Sequence, residues 1–236
     1  MFRAIDDNLV PALIAVGTIV FVAALAMIFW YAPVERQMGI VQKIFYVHVP
    51  AAFAMYLGFG ISAACSLAYL VDSSEHWDRA ATTGATLGLI ACGFVLISGP
   101  LWASKAWGTW WTWDPQLTAT FVLFVMYAGY VILRQFGGSG RAIKKVSAVL
   151  ALLAVVNIPI IHYAVELWGG MHPQVLRDDE GGLTAEMAQA FGMTTLGFLV
   201  IFALVFWVGF RTRSAEDRVE TMQLDLADLA MLEERK

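Results

Sequence analysis

Two histidines and a dense run of tryptophans are the residues of this sequence best suited to chemistry. His48 sits in KIFYVHVPAA, an apolar run that also carries Pro50. An ionisable side chain in such a run is costly and reads by default as functional; the alternative is an interfacial imidazole bonded to a backbone carbonyl. His172 lies in ELWGGMHPQ, just beyond Gly169–Gly170, a pair that gives its connection conformational freedom. Between the two comes WGTWWTWD, residues 107–114, with Trp102 shortly before it. Placed on a helix, Trp107, Trp110 and Trp111 share a face, and the spacing predicts a short interfacial helix carrying a wall of indoles, with Trp113 at its end. Such a wall serves as a lipid anchor or as a platform for a flat hydrophobic ligand. Two imidazoles on the same side as that platform can approach an iron-bearing macrocycle from opposite faces while indoles cover its edge.

Asp114–Pro115 reads first as a helix start, Asp being a favoured N-cap and Pro fitting the first helical position. The same carboxylate can orient an indole N–H or meet a partner. Lys105 directly precedes the tryptophans and is the first candidate to pair with acidic groups on a ligand. His162 reads as an interface residue rather than a ligand, and the two cysteines, Cys65 and Cys92, as small apolar residues with no C-x-x-C pairing.

The elements that must position these residues follow from composition. Of 236 residues, 59% are hydrophobic and 14% charged, the balance of a polytopic membrane protein rather than a soluble domain. A spanning helix needs about 20 predominantly apolar residues, and six segments qualify: 9–31, 44–71, 80–101, 117–133, 146–165 and 191–210. The expected architecture is therefore all-α, with six transmembrane helices and a tryptophan-rich interfacial segment between the third and fourth. The second segment is overlong and is expected to include an interfacial turn, and Asn157–Pro159 to kink the fifth. No cleavable signal peptide is read, because the first run is too long and no small-residue cleavage site follows.

Six spans put both termini on one side. Of the 15 Lys and Arg, only Arg36, Lys43, Lys105 and Arg177 fall on the other side, and the other eleven lie with the termini. Basic residues accumulate on the cytoplasmic side, so both termini are expected there, with His48, His172 and the tryptophans facing outward. Residues 1–210 read as the membrane domain and residues 211–236 as a tail, in which Val219, Met222, Leu226 and Leu229 predict a short amphipathic cytoplasmic helix. Leu183, Met187 and Phe191 make a similar stripe leading into the last span.

WGTWWTWD resembles the tryptophan-rich "WWD" signature of the haem-handling proteins of cytochrome c biogenesis. Six spans, a histidine opening the second and another in the last outward connection are similar to one family among them, cytochrome c maturation protein C, or haem exporter protein C. The resemblance runs from about Lys43 to Phe210. It implies non-covalent, b-type haem on the periplasmic face of the inner membrane, with His48 and His172 as axial ligands. It also implies that Trp102, Trp107, Trp110, Trp111, Trp113 and Asp114 form the haem platform and partner contact, and it makes Lys105 the propionate candidate. The implied partners are a periplasmic haem chaperone, a small single-span subunit and the ABC transporter subunits of the maturation system. The chain departs from the pattern at Gln116, where the family often has Arg, and at Leu167 and Gly169–Gly170 before His172.

Two other functions are weighed against haem presentation. A transmembrane exporter or other small-molecule transporter generally shows charged or broken-helix features at mid-membrane, and the cores of these six spans contain no Asp, Glu, Lys or Arg. A cytochrome b generally has histidine pairs buried on facing helices. No nucleophile–base pair or phosphate loop appears, so the reading leans away from an enzyme, and nothing suggests nucleic-acid binding.

Overall fold

The computed structural model describes residues 9–138, 140–170, 172 and 183–233. Most of these residues are helical, with six helical segments long and apolar enough to cross a membrane. α1 (Leu9–Ala26) continues through a wider π turn, Met27–Tyr31. A 3-10 turn, Ile40–Ile44, leads into α2 (Phe45–Asp72). α3 (Glu75–Ala106), α4 (Pro115–Phe136), α5 (Arg141–Val155), α6 (Asn157–Trp168) and α7 (Ala185–Glu233) follow.

The expected interfacial turn of the second span lies ahead of it, at Ile40–Ile44, and α2 runs unbroken through Pro50. Pro50 is the sixth residue of α2 and offers no N–H to the Tyr46 carbonyl, a loss that membrane helices tolerate where neighbouring groups re-satisfy the backbone. The expected kink in the fifth span is present. Val156 interrupts the helix between α5 and α6, since Pro159 has no N–H to offer the carbonyl of Val155. The Asn157 side chain donates to the Ala119 carbonyl at 2.6 Å, which ties the start of α6 to α4.

α2 and α3 form the tightest pair. A Cβ on Gly58 would lie 2.7 Å from the Gly88 nitrogen, and one on Gly84 would lie 2.7 Å from the Gly58 carbonyl oxygen. These glycines let two backbones touch, the small-residue packing that replaces hydrophobic driving force between helices in lipid. Beside the crossing, the rings of Phe59 and Tyr127 stack at 3.7 Å, and the Tyr127 hydroxyl donates to the Phe59 carbonyl at 3.2 Å. Met55, Cys92, Leu123 and Ile161 complete this core.

The end of the bundle away from the tryptophans is locked by charge. Arg134 pairs with the buried Asp78 at 2.6 Å, Lys144 with Glu75 at 2.5 Å, and Arg79 with Asp217 at 2.7 Å. These pairs join α3 to α4, α5 and α7. At the tryptophan end, Met187 and Phe191 of α7 pack with Phe45, as the stripe ahead of the last span suggests.

The tail is not a separate short helix. α7 is one helix of 49 residues, roughly 74 Å at about 1.5 Å per residue, far longer than the ~30 Å hydrocarbon layer. Its distal part carries Val219, Met222 and Leu226 exposed. No Gly or Pro follows Gly209, so nothing in the backbone ends the helix at the membrane surface.

Gly84→Val should lower stability by about 2 kcal/mol or more, because the clashing atom is a backbone oxygen that cannot move aside. Gly129→Ala, at a position with open space around its Cβ, should not. Thermal unfolding of detergent-purified protein, followed by tryptophan fluorescence, measures both.

Candidate functional site

His48 lies in the first turns of α2, where the rings of Phe45 and Trp102 pack beside it, and it is only 5% exposed. Its Nδ1 is 2.8 Å from the Ser98 hydroxyl on α3. That hydroxyl has a single proton, which it donates to the Phe94 carbonyl at 2.8 Å. Ser98 can therefore only accept from the imidazole, so Nδ1 carries the hydrogen and Nε2 is left with a bare lone pair. One turn of the same geometry makes room for the ring: a Cβ on Gly99 would sit 3.3 Å from the His48 Cε1. A neutral imidazole held by one nitrogen and open at the other is the arrangement in which histidine binds a metal.

His172 comes to meet it. The two rings have centroids 6.2 Å apart and planes inclined at 44°. A metal–imidazole bond is about 2 Å, and a ring nitrogen lies roughly 1 Å from its centroid, so rings on opposite sides of one metal have centroids about 6 Å apart. The chain reverses after α6 through Gly169 at φ 76° and Gly170 at φ 156°, conformations that favour glycine. Gly170 packs near Asp114, where a Cβ would lie 3.8 Å from that side chain. Burial pushes the His172 pKa below the usual imidazole value, with the Asp114 carboxylate acting in the opposite direction.

Two cavities border His172, and the larger also borders His48. The larger, about 200 Å³, is lined by both histidines, Trp102, Gln116, Thr120 and His162 together with apolar side chains of α2, α3, α4 and α6. The smaller, about 30 Å³, holds Trp102, Trp107, Asp114 and His172. Trp102 lines both cavities, and its buried indole N–H has no acceptor among the described residues. Among the described residues no group of three or more His, Cys, Asp or Glu could hold a bare metal ion. Two facing imidazoles in apolar surroundings instead suit a metal whose remaining positions come with it, as in a haem. The larger cavity is below the ~300–1,000 Å³ of typical ligand pockets, so a macrocycle held here keeps an edge outside.

The tryptophan stretch does not form the expected helix. α3 ends at Ala106, Gly108 adopts φ 73°, and residues 107–114 run as an irregular connection. Gly108 favours the left-handed turn and Pro115 disfavours a helical Asp114, so Trp107, Trp110 and Trp111 share no helical face. Their placement is graded instead. Trp102 is 3% exposed and stacks on Trp107 at 6.3 Å, whereas Trp110 and Trp113 are 62% and 74% exposed. Trp111 is braced between Trp113 and Phe121.

Asp114 caps α4 as expected, its carboxylate accepting from the Leu117 N–H at 2.8 Å ahead of Pro115. Lys105 is exposed on the last turn of α3 and borders neither cavity. Lys43 is spoken for structurally: its ammonium donates to the carbonyls of Ile28 at 2.6 Å and Phe29 at 3.2 Å, closing the end of the first span. Arg36 is exposed, and Arg177 lies outside the described residues. His162, read as an interface residue, stands at the cavity edge. Ser98 and Gly99 are parts of the site that sequence reasoning misses; the only signal is a hydroxyl and a glycine in an otherwise apolar helix.

Known sequences bear on this arrangement. The family described as "Heme exporter protein C" matches residues 1–225. A Bradyrhizobium diazoefficiens protein named "Heme exporter protein C" is 29% identical over 94% of this chain and 85% of its own length. An Escherichia coli K12 protein of the same name is 30% identical, covering 82% and 79%. A Marchantia polymorpha protein named "Putative cytochrome c biosynthesis ccmC-like mitochondrial protein" is 32% identical, covering 68% and 69%. With the family matched over nearly the whole chain, this protein belongs to the Heme exporter protein C family.

Proposed function

We propose that the protein holds haem on the periplasmic face of the inner membrane and presents it to a haem chaperone for cytochrome c biogenesis. The observation that carries this reading is the facing pair of imidazoles, 6.2 Å apart, with the Nε2 of His48 left open by Ser98. The relatives' names, which speak of haem export and cytochrome c biosynthesis, supply the substrate and the pathway. The excess of Lys and Arg beside the termini supports an outward site with both termini cytoplasmic.

In this reading the two ligands have different duties. His48 is fixed between α2 and α3. His172 hangs from the Gly169–Gly170 turn and is the ligand that yields at handover. Two imidazoles fill both axial positions, which keeps oxygen from the iron. The exposed Trp110 and Trp113 offer faces for the macrocycle edge that the cavity leaves outside, and for the chaperone that collects it. Lys105, exposed nearby, is the proposed propionate partner. A single-span subunit and ABC transporter subunits complete the proposed assembly. Passage of haem through this chain is disfavoured by the packed Phe59–Tyr127 core beneath the cavity.

The test is the absorption spectrum of detergent-purified protein loaded with haemin. His48→Ala should abolish the low-spin bis-histidine bands, and His172→Ala should weaken binding and leave a single-histidine spectrum. If both variants keep unchanged bis-histidine haem, the site is elsewhere.

The same spectrum should depend on pH. With its pKa held low by burial, His172 is neutral above the ordinary imidazole pKa of about 6.5, and ligation is intact there. Acidification protonates His172 and removes it as a ligand, with a midpoint below that value. His172→Ala should lack the transition. Cysteine-labelling of Thr109→Cys from the periplasm, and of Thr212→Cys only after permeabilisation, checks the orientation.

A further inference from the structure

We infer that the His48–His172 cavity opens sideways to the membrane between α2 and α6, so that its ligand enters from the lipid leaflet rather than from water. This rests on the proposed haem site and specifies its route of loading. α5 packs on both α2 and α4 over the half of the fifth span away from the tryptophans, but beyond the break at Val156 the packing on α2 falls away and α6 packs chiefly on α4. Pro159 breaks the helix, and Asn157 bonds to the Ala119 carbonyl of α4 at 2.6 Å. The outer half of the span is thereby drawn away from α2.

The cavity lies at that gap. On the α2 side its lining includes Ala52, Phe53 and Tyr56, and on the α6 side the buried Ile161 and the exposed His162, while the Phe53 ring also lies 6.2 Å from that of Phe191 on α7. Phe53 is 38% exposed and His162 is exposed, although both line the cavity. The edge is at membrane depth, one to two helical turns below His48 on α2, so what it faces is hydrocarbon. A flat, largely apolar molecule with polar groups at one rim partitions into a bilayer, and a hydrophobic slot at that depth receives it without first transferring it to water.

The test uses purified protein in phosphatidylcholine nanodiscs. Haemin is supplied either in phosphatidylcholine vesicles or bound to serum albumin in water, and loading is followed by the Soret band against each variant's own end-point. Wild type should load faster from vesicles. Ala52→Phe should slow that route about tenfold, the effect expected of a bulky ring that adds an overpacking cost to the entry barrier, and Phe53→Ala should speed it. Equal rates from both sources, unaltered by either variant, would overturn the portal. A second readout needs no haem. A bimane label on Tyr56→Cys, in a chain with Cys65→Ala, should be quenched by doxyl-labelled lipid and not by aqueous iodide. Quenching by iodide alone means the cavity opens to water, and the inference fails. Loss of every haem spectrum would instead overturn the haem site itself, while the bimane result would still decide whether the cavity meets lipid.

Discussion

The site depends on one hydrogen bond with a fixed direction. Inside a membrane an imidazole cannot rely on water to satisfy either nitrogen, so the protein decides which one is available. Ser98 makes that decision by giving its proton to its own helix at Phe94, which obliges the hydroxyl to accept from His48 Nδ1. Everything around the pair preserves the geometry. The glycine crossing of α2 and α3 sets the distance between the helices, Gly99 admits the ring, and Trp102 covers its flank. An imidazole held this way keeps one position and one tautomer while its surroundings change.

The second histidine is built on the opposite principle. His172 stands on two glycines in unusual backbone conformations, close to the Asp114 that starts α4. Asp114 is thus both a helix cap and part of the electrostatic surroundings of His172. In the proposed function the firm ligand would come from a packed helix and the yielding one from a turn. That division suits a protein that must hold a group tightly enough to protect it and loosely enough to release it.

The two ends of the bundle divide the labour. Away from the tryptophans, ion pairs link α3 with α4, α5 and α7, and hold the helices together. Toward the tryptophans the charged ties are replaced by aromatic contacts, the fifth span bends away from α2, and the cavities appear. A rigid base under an opened top is what lets the upper cavity exist without unfolding the chain around it.

The sequence by itself determined the six spans, the break near Pro159, the cap at Asp114 and the membership of His48, His172 and the tryptophans in one end of the molecule. Each follows from a local signal: the length of an apolar run, a missing backbone donor, a carboxylate beside a proline. Gly108 was such a signal too, but the helical spacing of Trp107, Trp110 and Trp111 concealed it, and the indoles fell on an irregular connection instead of a helix. The unbroken run of α7 past the membrane was likewise obscured by the shift from apolar to charged residues, which marks the edge of lipid and not the end of a helix. Only the tertiary structure decided that Ser98 meets His48, that the two imidazoles stand 6.2 Å apart, that Lys43 closes the first span and that α6 leaves α2. Those are contacts between helices distant in sequence, and periodicity along one helix states which face is apolar without stating which neighbour it meets.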